Sequence, residues 1–260
     1  MQSSDEFDLA GRNVVVTGGA GALGGAVVER LRLAGALCHV PVRAGSPPGH
    51  RDGEVPGLPA VRYVPDVELS DEGSVAAFYE GLPDPLWASV HLAGGFAMSP
   101  IASTSAADLR AQLEQNLVTA FLCSREAVKA IRRARDRQGG RSERGPGAGA
   151  SGASVAGGRI VQVASRAGLL PAAGQLAYSL SKAALVALTA GLAAELAGER
   201  ILVNGVAPGT MDTPGNRRAM PNADPGKWVA PAEVAALIVW LASPANARAS
   251  GATIPVFGES

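Results

Sequence analysis

The sequence predicts an α/β fold in a single domain over residues 1–260: a doubly wound, mostly parallel sheet of about seven strands, with helices on both faces. Three observations predict it. Short β-branched runs alternate with longer segments of helical spacing, an order typical of parallel sheets covered on both sides. A glycine-rich turn at 18–24 joins the first strand to the first helix. The chain, at 260 residues, is long enough to bury one large core.

Each element is predicted from its hydrophobic period. Residues 13–17 are a β-branched run and indicate a buried strand, whereas Leu23, Val27 and Leu31 recur at helical spacing and form one apolar stripe. The same two criteria apply to the rest of the chain. The predicted elements are, in order, strand 13–17, helix 22–33, strand 37–42, strand 61–64, helix 71–79, strand 87–92, helix 106–133, strand 159–163, helix 175–196, strand 201–206, helix 231–242 and strand 253–257.

Three stretches depart from this alternation. Residues 45–59 are rich in Gly and Pro and indicate a surface loop. Residues 135–158 combine Gly, Ser and Arg with almost no large apolar side chains, so they predict a mobile insertion between the long helix and the fifth strand. The arginines of this insertion could bind an anion, but a solvated charged loop is favoured. Residues 208–231, which contain several Pro, Gly and Asn, are predicted to form a lid over the substrate.

Composition argues against several classes of function. The formal net charge is zero, which removes the electrostatic argument for a nucleic acid or an anionic membrane as partner. No uninterrupted apolar run approaches the ~20 residues of a membrane span, and the polar, acidic residues 1–6 are unlike a signal peptide. Cys38 and Cys123 lie in apolar stretches, as expected for free thiols in a reducing cytoplasm. The three histidines are scattered, so no metal site is predicted.

The glycine-rich turn is suited to binding a phosphate. Glycines allow a sharp turn and a close approach of the backbone to a pyrophosphate, and the start of the following helix supplies unpaired N–H groups and positive potential. A strand–turn–helix context makes this interpretation stronger than the glycines alone. The alternative is a tight turn with nothing bound. The predicted cofactor contacts in the turn are Thr17, Gly18, Gly21, Ala22, Leu23 and Gly24.

The end of the second predicted strand favours NADP(H), with NAD(H) as the alternative. An acidic residue there normally holds the adenosine ribose of NAD, but residues 37–43 contain no Asp or Glu. Arg43 stands at or one past that position and suits a 2′-phosphate, although it could be a solvent-facing strand end. Asp66, just after the third strand, could accept a hydrogen bond from the adenine amino group or cap a turn.

Tyr178 and Lys182 are four residues apart in a predicted helix, and therefore lie about one turn apart on the same face. A lysine charge beside a phenol favours the phenolate, so Tyr178 is predicted to titrate nearer neutral pH than the ~10 of a free tyrosine. Ser165 lies thirteen residues upstream and could hydrogen-bond the same substrate oxygen. These side chains predict an acid/base site. The alternative is an exposed helical pair with a half-buried phenol.

Together these residues resemble the short-chain dehydrogenase/reductase family over nearly the whole chain. The family motif Thr-Gly-x-x-x-Gly-x-Gly is matched by Thr17, Gly18 and Gly24, with Ala22 at the middle glycine and Gly21 beside it. The resemblance implies a Rossmann-type dinucleotide-binding fold and an NAD(P)-dependent oxidoreductase.

Further family motifs fall in register. Ala93 and Gly94 match the end of an Asn-Asn-Ala-Gly motif after the fourth strand, although both asparagines are replaced. Asn116 stands where the family has an active-site asparagine, and the resemblance implies that it holds a water linking the lysine to solvent. A satisfied polar core residue is the alternative for Asn116. Pro208 and Gly209 match the Pro-Gly that precedes the nicotinamide contact region.

The resemblance also implies a reaction and a role for each residue. The reaction is reversible hydride transfer between nicotinamide and a small carbonyl or alcohol substrate. Tyr178 is its general acid/base, Ser165 orients the substrate oxygen and Asn116 supports proton relay. Lys182 assists the tyrosine and holds a nicotinamide ribose hydroxyl, so Tyr178 and Lys182 both border the cofactor. A nucleotide-binding subunit without turnover is the alternative. A homodimer or homotetramer formed through the two long helices is also implied.

The segment 211–224 resembles quinonoid dihydropteridine reductase and its bacterial relatives, as does His-Leu-Ala-Gly-Gly-Phe at 91–96. That reductase uses NADH and carries an acid after its second strand, which is absent here. It also lacks the active-site serine that Ser165 supplies. A carbonyl substrate is therefore favoured over a pterin, which stays as an alternative.

Overall fold

The computed structural model describes residues 7–45, 58–142 and 157–259. In them, seven parallel strands form one sheet in the order β3-β2-β1-β4-β5-β6-β7, and the predicted fold class is confirmed. The strands are β1 (Asn13–Thr17), β2 (Leu37–Pro41), β3 (Val61–Val64), β4 (Leu86–His91), β5 (Gly158–Val163), β6 (Ile201–Pro208) and β7 (Thr253–Val256). The helices are α1 (Ala22–Leu33), α2 (Glu72–Glu80), α3 (Ala106–Leu113), α4 (Thr119–Ser142), α5 (Arg166–Leu169), α6 (Leu176–Glu195), α7 (Pro214–Ala219) and α8 (Pro231–Ala242).

Two apolar layers hold the helices against the sheet. On one face Val14 of β1 packs in a cluster with Val27 of α1 and Ile238 of α8. On the other face Val15 packs with α2, α4 and α6, and Ile131 of α4 belongs to this cluster. Alternate residues of β1 therefore serve opposite layers, as the two-residue period of a strand requires. The strand order reverses direction between β1 and β4, and ligands of such sheets bind beyond the carboxyl ends of the strands at that point.

The long helix predicted over 106–133 is divided. α3 ends at Leu113, a π-helical turn spans Glu114–Val118, and α4 begins at Thr119. A π turn inserts one residue into a helix and redirects the side chains around it, which is why such turns occur often at functional sites. Asn116 lies inside this turn and is completely buried.

α4 also extends beyond the predicted start of the insertion at 135. Residues 132–137 are mostly good helix formers, and Arg132 and Arg137 form ion pairs with Glu199 and Asp84. Residues 135–142 of the predicted insertion are therefore helical, and its residues 143–156 lie outside the described part of the chain. Residues 46–57 of the predicted loop 45–59 lie outside it as well.

Both cysteines are buried and unpaired, as the sequence predicts. Burial in the core raises the pKa of the Cys38 thiol to about 12, and it raises that of the Cys123 thiol to the same value. Neither thiol is therefore available as a thiolate near neutral pH.

Among the described helices, α6 is the one long and apolar enough to cross a membrane by length and composition. The core helix of a globular domain has the same character, so the observation is weak evidence for a membrane. α6 buries Ser179, Lys182 and Thr189 along with Leu185, and it packs on α3 and β6 within the sheet domain.

A buried polar network connects the end of β4 to its neighbours. His91 Nε2 lies 2.8 Å from Ser89 Oγ, which lies 2.7 Å from the Tyr79 hydroxyl. His91 Nδ1 lies 3.2 Å from Gln162 Oε1, and Gln162 donates to Ser124. We assign the proton to Nδ1, because Gln162 Oε1 can only accept, and Nε2 then accepts from Ser89. The neutral imidazole satisfies this network, and burial lowers the pKa of His91 to about 4.

The neutral state of His91 predicts acid destabilisation. Because the folded pKa lies below the ordinary value of 6.5, this contribution to stability is fully present above pH 6.5 and is lost as the pH falls towards 4. The expected fall in the free energy of unfolding from His91 is about 2 kcal/mol between pH 7.5 and 5, measured by urea denaturation. The His91→Asn variant is expected to lack this contribution to the pH dependence of the free energy of unfolding. Burial also lowers the pKa of His39, so His39→Gln is the companion variant. An unchanged pH slope in His91→Asn contradicts the assignment.

Candidate active site

Tyr178, Lys182 and Ser165 meet beyond the carboxyl ends of the central strands. Tyr178 lies in the first turn of α6, with Lys182 one turn later, its Nζ 5.9 Å from the centroid of the phenol ring. Ser165 ends the segment after β5 and caps α5, where its Oγ accepts a hydrogen bond of 3.2 Å from the Ala167 amide. Burial raises the pKa of Tyr178, and a hydrogen bond between its phenol and the Ser165 hydroxyl partly opposes this effect. The sequence prediction that these three groups converge therefore agrees with the geometry.

Close contact between α5 and α6 holds this arrangement. A Cβ on Gly168 of α5 would lie 2.6 Å from the carbonyl carbon of Lys182. Only glycine lets the two backbones approach so closely. The short helix α5, which sequence analysis did not predict, thus places Ser165 against the helix that carries Tyr178.

Lys182 is buried, and its Nζ donates a hydrogen bond of 2.9 Å to the carbonyl of Val163 at the end of β5. The same Nζ lies 3.5 Å from the position of a Cβ built on Gly94, in the loop after β4. Burial lowers the pKa of Lys182 to about 8. The side chain is therefore mostly protonated at neutral pH and lies between the strand ends that border the candidate cofactor site.

The expectation that Lys182 brings the pKa of Tyr178 towards neutrality is not met. Burial of the phenol raises the pKa of Tyr178 above its ordinary value, and the hydrogen bond with Ser165 only partly opposes this effect. The physical reason is that desolvation disfavours the phenolate, while the lysine ammonium is directed to the Val163 carbonyl. In this state Tyr178 remains a protonated acid at neutral pH.

Asn116 fastens the loop after β4 to the π turn. Its Nδ2 donates to the Gly95 carbonyl at 2.9 Å and to the Gln112 carbonyl at 3.1 Å, while its Oδ1 accepts from the Gly95 amide at 3.1 Å. The side chain of Asn116 is therefore a satisfied buried group, as its alternative interpretation states. A Cβ on Gly94 would touch both Asn116 and Lys182, so Asn116 also lies beside the lysine.

Phe96 was missed as a site residue by sequence analysis. Its ring packs edge-on against the ring of Tyr178, with centroids 4.8 Å apart and an interplanar angle of 89°. The Phe96 side chain is nevertheless 60% exposed, and Met98, Leu170 and Met220 are also exposed apolar side chains. The segment after Gly94 could have indicated Phe96, because residues beyond a strand's carboxyl end line the ligand crevice of such sheets.

The glycine-rich turn forms a tight cradle at the end of β1. Gly18 has a φ of 69°, and a Cβ there would lie 2.8 Å from the Ala93 amide nitrogen. A Cβ on Gly24 would overlap the Gly18 carbonyl and lie 2.6 Å from the Gly19 Cα. Gly21 occupies the N-cap position of α1, no side chain caps the helix, and its first turn carries no acid. The start of α1 is thus open to an anion such as a pyrophosphate.

Two of the predicted contacts in this turn have side chains that are engaged elsewhere in the structure. The Thr17 side chain is buried and its Oγ1 accepts hydrogen bonds from the amides of Leu92 and Ala93, so it ties β1 to the segment after β4. The Leu23 side chain packs in the apolar core. Leu23 can therefore face a phosphate only through its backbone, and Ala22 beside it is exposed at the start of α1.

An open cleft of about 650 Å³ lies beside the turn. It brings together the predicted contacts Gly18, Arg43, Ala93 and Gly94. Sequence analysis missed the other lining residues, although they lie in the glycine-rich turn, at or after the ends of β2 and β3, or in the α3–α4 region. They are Ala20, Pro41, Val42, Val67, Glu68, Leu69, Ser70, Ala111, Glu114, Gln115 and Thr119.

Arg43 stands at the rim of the cleft with its side chain 74% exposed. Its Nε lies 3.7 Å from a carboxylate oxygen of Glu68, whose pKa is lowered chiefly by hydrogen bonds from Ser70. An exposed pair at this distance binds loosely. Arg43 can therefore turn to a phosphate, although Glu68 is a negative charge close to the same place.

The remaining predicted contacts do not line the cleft. Asp66 is exposed and has a φ of 59°, just before the cleft residue Val67. Pro208 ends β6, and the Gly209 amide donates to the Val256 carbonyl of β7 at 2.8 Å. In the described part of the chain, no three His, Cys, Asp or Glu side chains lie close enough to hold a metal ion.

The fold and the open helix start define a nucleotide-binding α/β protein, and comparison with known proteins narrows the class. Residues 153–224 match the family model for short chain dehydrogenases. An oxidoreductase of Escherichia coli, YgfF, named as uncharacterized, is 32% identical over 75% of this chain and 78% of its own. The chain belongs to the short-chain dehydrogenase/reductase family, whose members are NAD(P)(H)-dependent oxidoreductases.

Other similar proteins cover the chain more fully. The rhamnolipids biosynthesis 3-oxoacyl-[acyl-carrier-protein] reductase of Pseudomonas aeruginosa is 29% identical over 97% of both chains. The crystal structure of a dehydrogenase/reductase from Sinorhizobium meliloti 1021 superposes with a TM-score of 0.77 and 27% identity, covering 98% of this chain and 97% of that one. The similarity therefore extends over the whole domain.

Proposed function

We propose that this protein reduces a small-molecule carbonyl to an alcohol with NADPH, and that Tyr178 supplies the proton. The observation that carries the proposal is the convergence of Tyr178, Ser165 and Lys182 beside Gly94, which lines the cleft next to the glycine-rich turn. A phenol acid, a hydroxyl donor and a buried ammonium at the edge of a dinucleotide cleft suit general acid catalysis.

Each side chain has a separate task in this proposal. The nicotinamide, when bound, supplies the hydride. The Tyr178 hydroxyl donates its proton to the carbonyl oxygen, and the Ser165 hydroxyl donates a hydrogen bond that orients that oxygen. Lys182 leaves the Val163 carbonyl to bind the ribose and stabilise the tyrosine after it gives up its proton. Asn116 keeps the Gly95 backbone in place and supports proton return from solvent.

The protonation state of Tyr178 suits the reductive direction of the reaction. Reduction needs a tyrosine that carries its proton, and burial raises the pKa of Tyr178. Oxidation needs the phenolate, which burial disfavours. This electrostatic difference supports a reductase over an alcohol dehydrogenase near neutral pH.

The cofactor preference is tested at the rim of the cleft. Arg43→Gln is expected to raise the KM for NADPH about tenfold and to leave the KM for NADH nearly unchanged, because only NADPH carries the 2′-phosphate. Glu68→Gln is expected to lower the KM for NADPH, since it removes the carboxylate 3.7 Å from Arg43. Steady-state kinetics with both cofactors provide the measurement. Equal changes for NADPH and NADH in Arg43→Gln contradict the preference.

The remaining expectations concern the surroundings of the site. Exposed Phe96, Met98 and Leu170 favour a substrate with an apolar part, and residues 208–231 form the lid over it. The Ser165 hydroxyl favours a carbonyl over a pterin as substrate. We expect a cytoplasmic homodimer or homotetramer.

Substrate screening tests the proposal as a whole. NADPH oxidation is followed with a panel of ketones, aldehydes, β-ketoesters and quinonoid dihydropterin, while NADPH binding is measured in parallel. Turnover of a carbonyl supports the proposal, and turnover of the pterin alone replaces it. Binding without turnover of any compound indicates the nucleotide-binding subunit.

A further inference from the structure

A second cavity lies at the amino ends of the central strands, where β1, β4 and β5 begin, and thus at the end of the sheet opposite the candidate active site. It has a volume of about 90 Å³, which exceeds the space that a single water needs. Leu86, Trp87 and Ile131 supply apolar walls, and two arginines, Arg12 and Arg135, also line the cavity. The other lining residues are Gly11, Pro85, Ala134 and Gly157. The proposed reaction uses none of these residues.

A buried arginine stands against this cavity without a carboxylate partner. Arg159 is 7% exposed, and among the described residues it forms no ion pair. Its Nη1 donates to the Gly158 carbonyl at 3.0 Å and its Nη2 to the Asn246 carbonyl at 2.6 Å, while its Nε has no partner. Burying a guanidinium without a counter-charge is unfavourable, so the arrangement is incomplete by itself.

Two guanidinium groups share one aromatic platform at the cavity. The Arg12 guanidinium carbon lies 3.8 Å from the centroid of the Trp87 ring, and that of Arg159 lies 5.0 Å from it. Arg159 Nη1 is 3.3 Å from the position of a Cβ built on Gly157, so it borders the cavity wall. Trp87 is fixed because its indole Nε1 donates to the Ala242 carbonyl at 2.8 Å. Both guanidinium groups therefore lie against the same fixed ring.

The neighbouring acids are already engaged. Glu199 forms ion pairs with both Arg132 and Arg135, and Asp84 pairs with Arg137. Arg12 and Arg200 contribute to lowering the pKa of Arg159, after burial, which shows that their positive charges lie near it. Three guanidinium groups, those of Arg12, Arg159 and Arg200, thus lie near one another, although the whole chain has a formal net charge of zero.

We propose that this cavity binds a small phosphate-type oxyanion between Arg12 and Arg159. A doubly charged oxyanion would offset the two guanidinium charges and accept the hydrogen bonds that the planar donors offer. Apolar walls strengthen the attraction, because they keep water from the charges. The bound anion would tie together the starts of β1, β4 and β5.

The test uses the full chain, labelled with ¹⁵N, and inorganic phosphate at constant ionic strength. Among the three tryptophans, the Trp87 indole resonance, assigned with Trp87→Phe, reports on this cavity alone. Phosphate at the glycine-rich turn would shift other resonances. We expect the Trp87 resonance to shift saturably, with a Kd on the order of 1 mM.

Two arginine variants separate a site from general attraction. Arg12→Gln, at the cavity, is expected to raise the Kd by about tenfold or more, because it removes a charge-assisted hydrogen bond. Arg30→Gln is the matched control, since it removes an exposed charge from the last turn of α1 at the same edge. Its Kd should stay near that of the natural chain. An unmoved Trp87 resonance, or equal losses in both variants, overturns the proposal.

Discussion

Tyr178→Phe is expected to lower kcat for carbonyl reduction by at least about 10² to 10⁴, the range that general acid catalysis contributes. The variant removes one hydroxyl and leaves the aromatic ring, so the edge-on contact with Phe96 remains. NADPH affinity should change little, because the glycine-rich turn and Arg43 are untouched. Stopped-flow or steady-state NADPH oxidation measures turnover, and fluorescence titration measures binding.

The control for this variant removes a phenol elsewhere. Tyr63→Phe changes β3, at the far edge of the sheet, and should keep turnover near that of the natural chain. Ser165→Ala should lower kcat by a smaller factor than Tyr178→Phe, because it removes a hydrogen bond but not the proton. Turnover of Tyr178→Phe at the natural rate would exclude Tyr178 as the acid.

Gly24→Ala is expected to abolish cofactor binding and to destabilise the fold. The added methyl would overlap the Gly18 carbonyl and meet the Gly19 backbone at 2.6 and 2.8 Å. These are backbone atoms, so no side chain can turn aside and the whole turn must shift. Overpacking of this kind typically costs 1–3 kcal/mol or more. Thermal unfolding and NADPH titration measure the two effects.

Gly25→Ala is the matched control, one residue along the same helix. A Cβ on Gly25 meets no atom within 4 Å, and alanine favours a helix over glycine by about 0.5–1 kcal/mol. The variant should therefore equal or exceed the natural chain in stability and should bind NADPH normally. Similar losses in Gly24→Ala and Gly25→Ala would contradict the close packing of the turn.

The sheet was predictable because parallel strands that are buried on both faces appear in a sequence as short, continuous apolar runs. Runs such as residues 13–17 contain only side chains suited to that environment, and helices of regular period separate them. The glycine-rich turn and the spacing of Tyr178 from Lys182 depend on local geometry, which a sequence carries directly. These features therefore appeared at their expected places.

The features that escaped prediction depend on contacts between distant segments. The π turn around Asn116 has no distinctive sequence period, and Asn116 is satisfied by Gly95, twenty-one residues away. The raised pKa of Tyr178 reflects burial by the whole site, which the spacing of two residues does not contain. Glu68 reaches Arg43 only because β2 and β3 are neighbours in the sheet.

The clamp between Asn116 and Gly95 separates two parts of the loop after β4. Upstream of the clamp, Gly94 adjoins Lys182, and a side chain at this position would collide with Asn116. Downstream, Phe96 and Met98 are exposed, but the Phe96 ring packs against that of Tyr178. If Tyr178 is the acid, as proposed, Met98 is the position at which substrate choice can diverge freely, whereas a change at Phe96 also alters the surroundings of the acid.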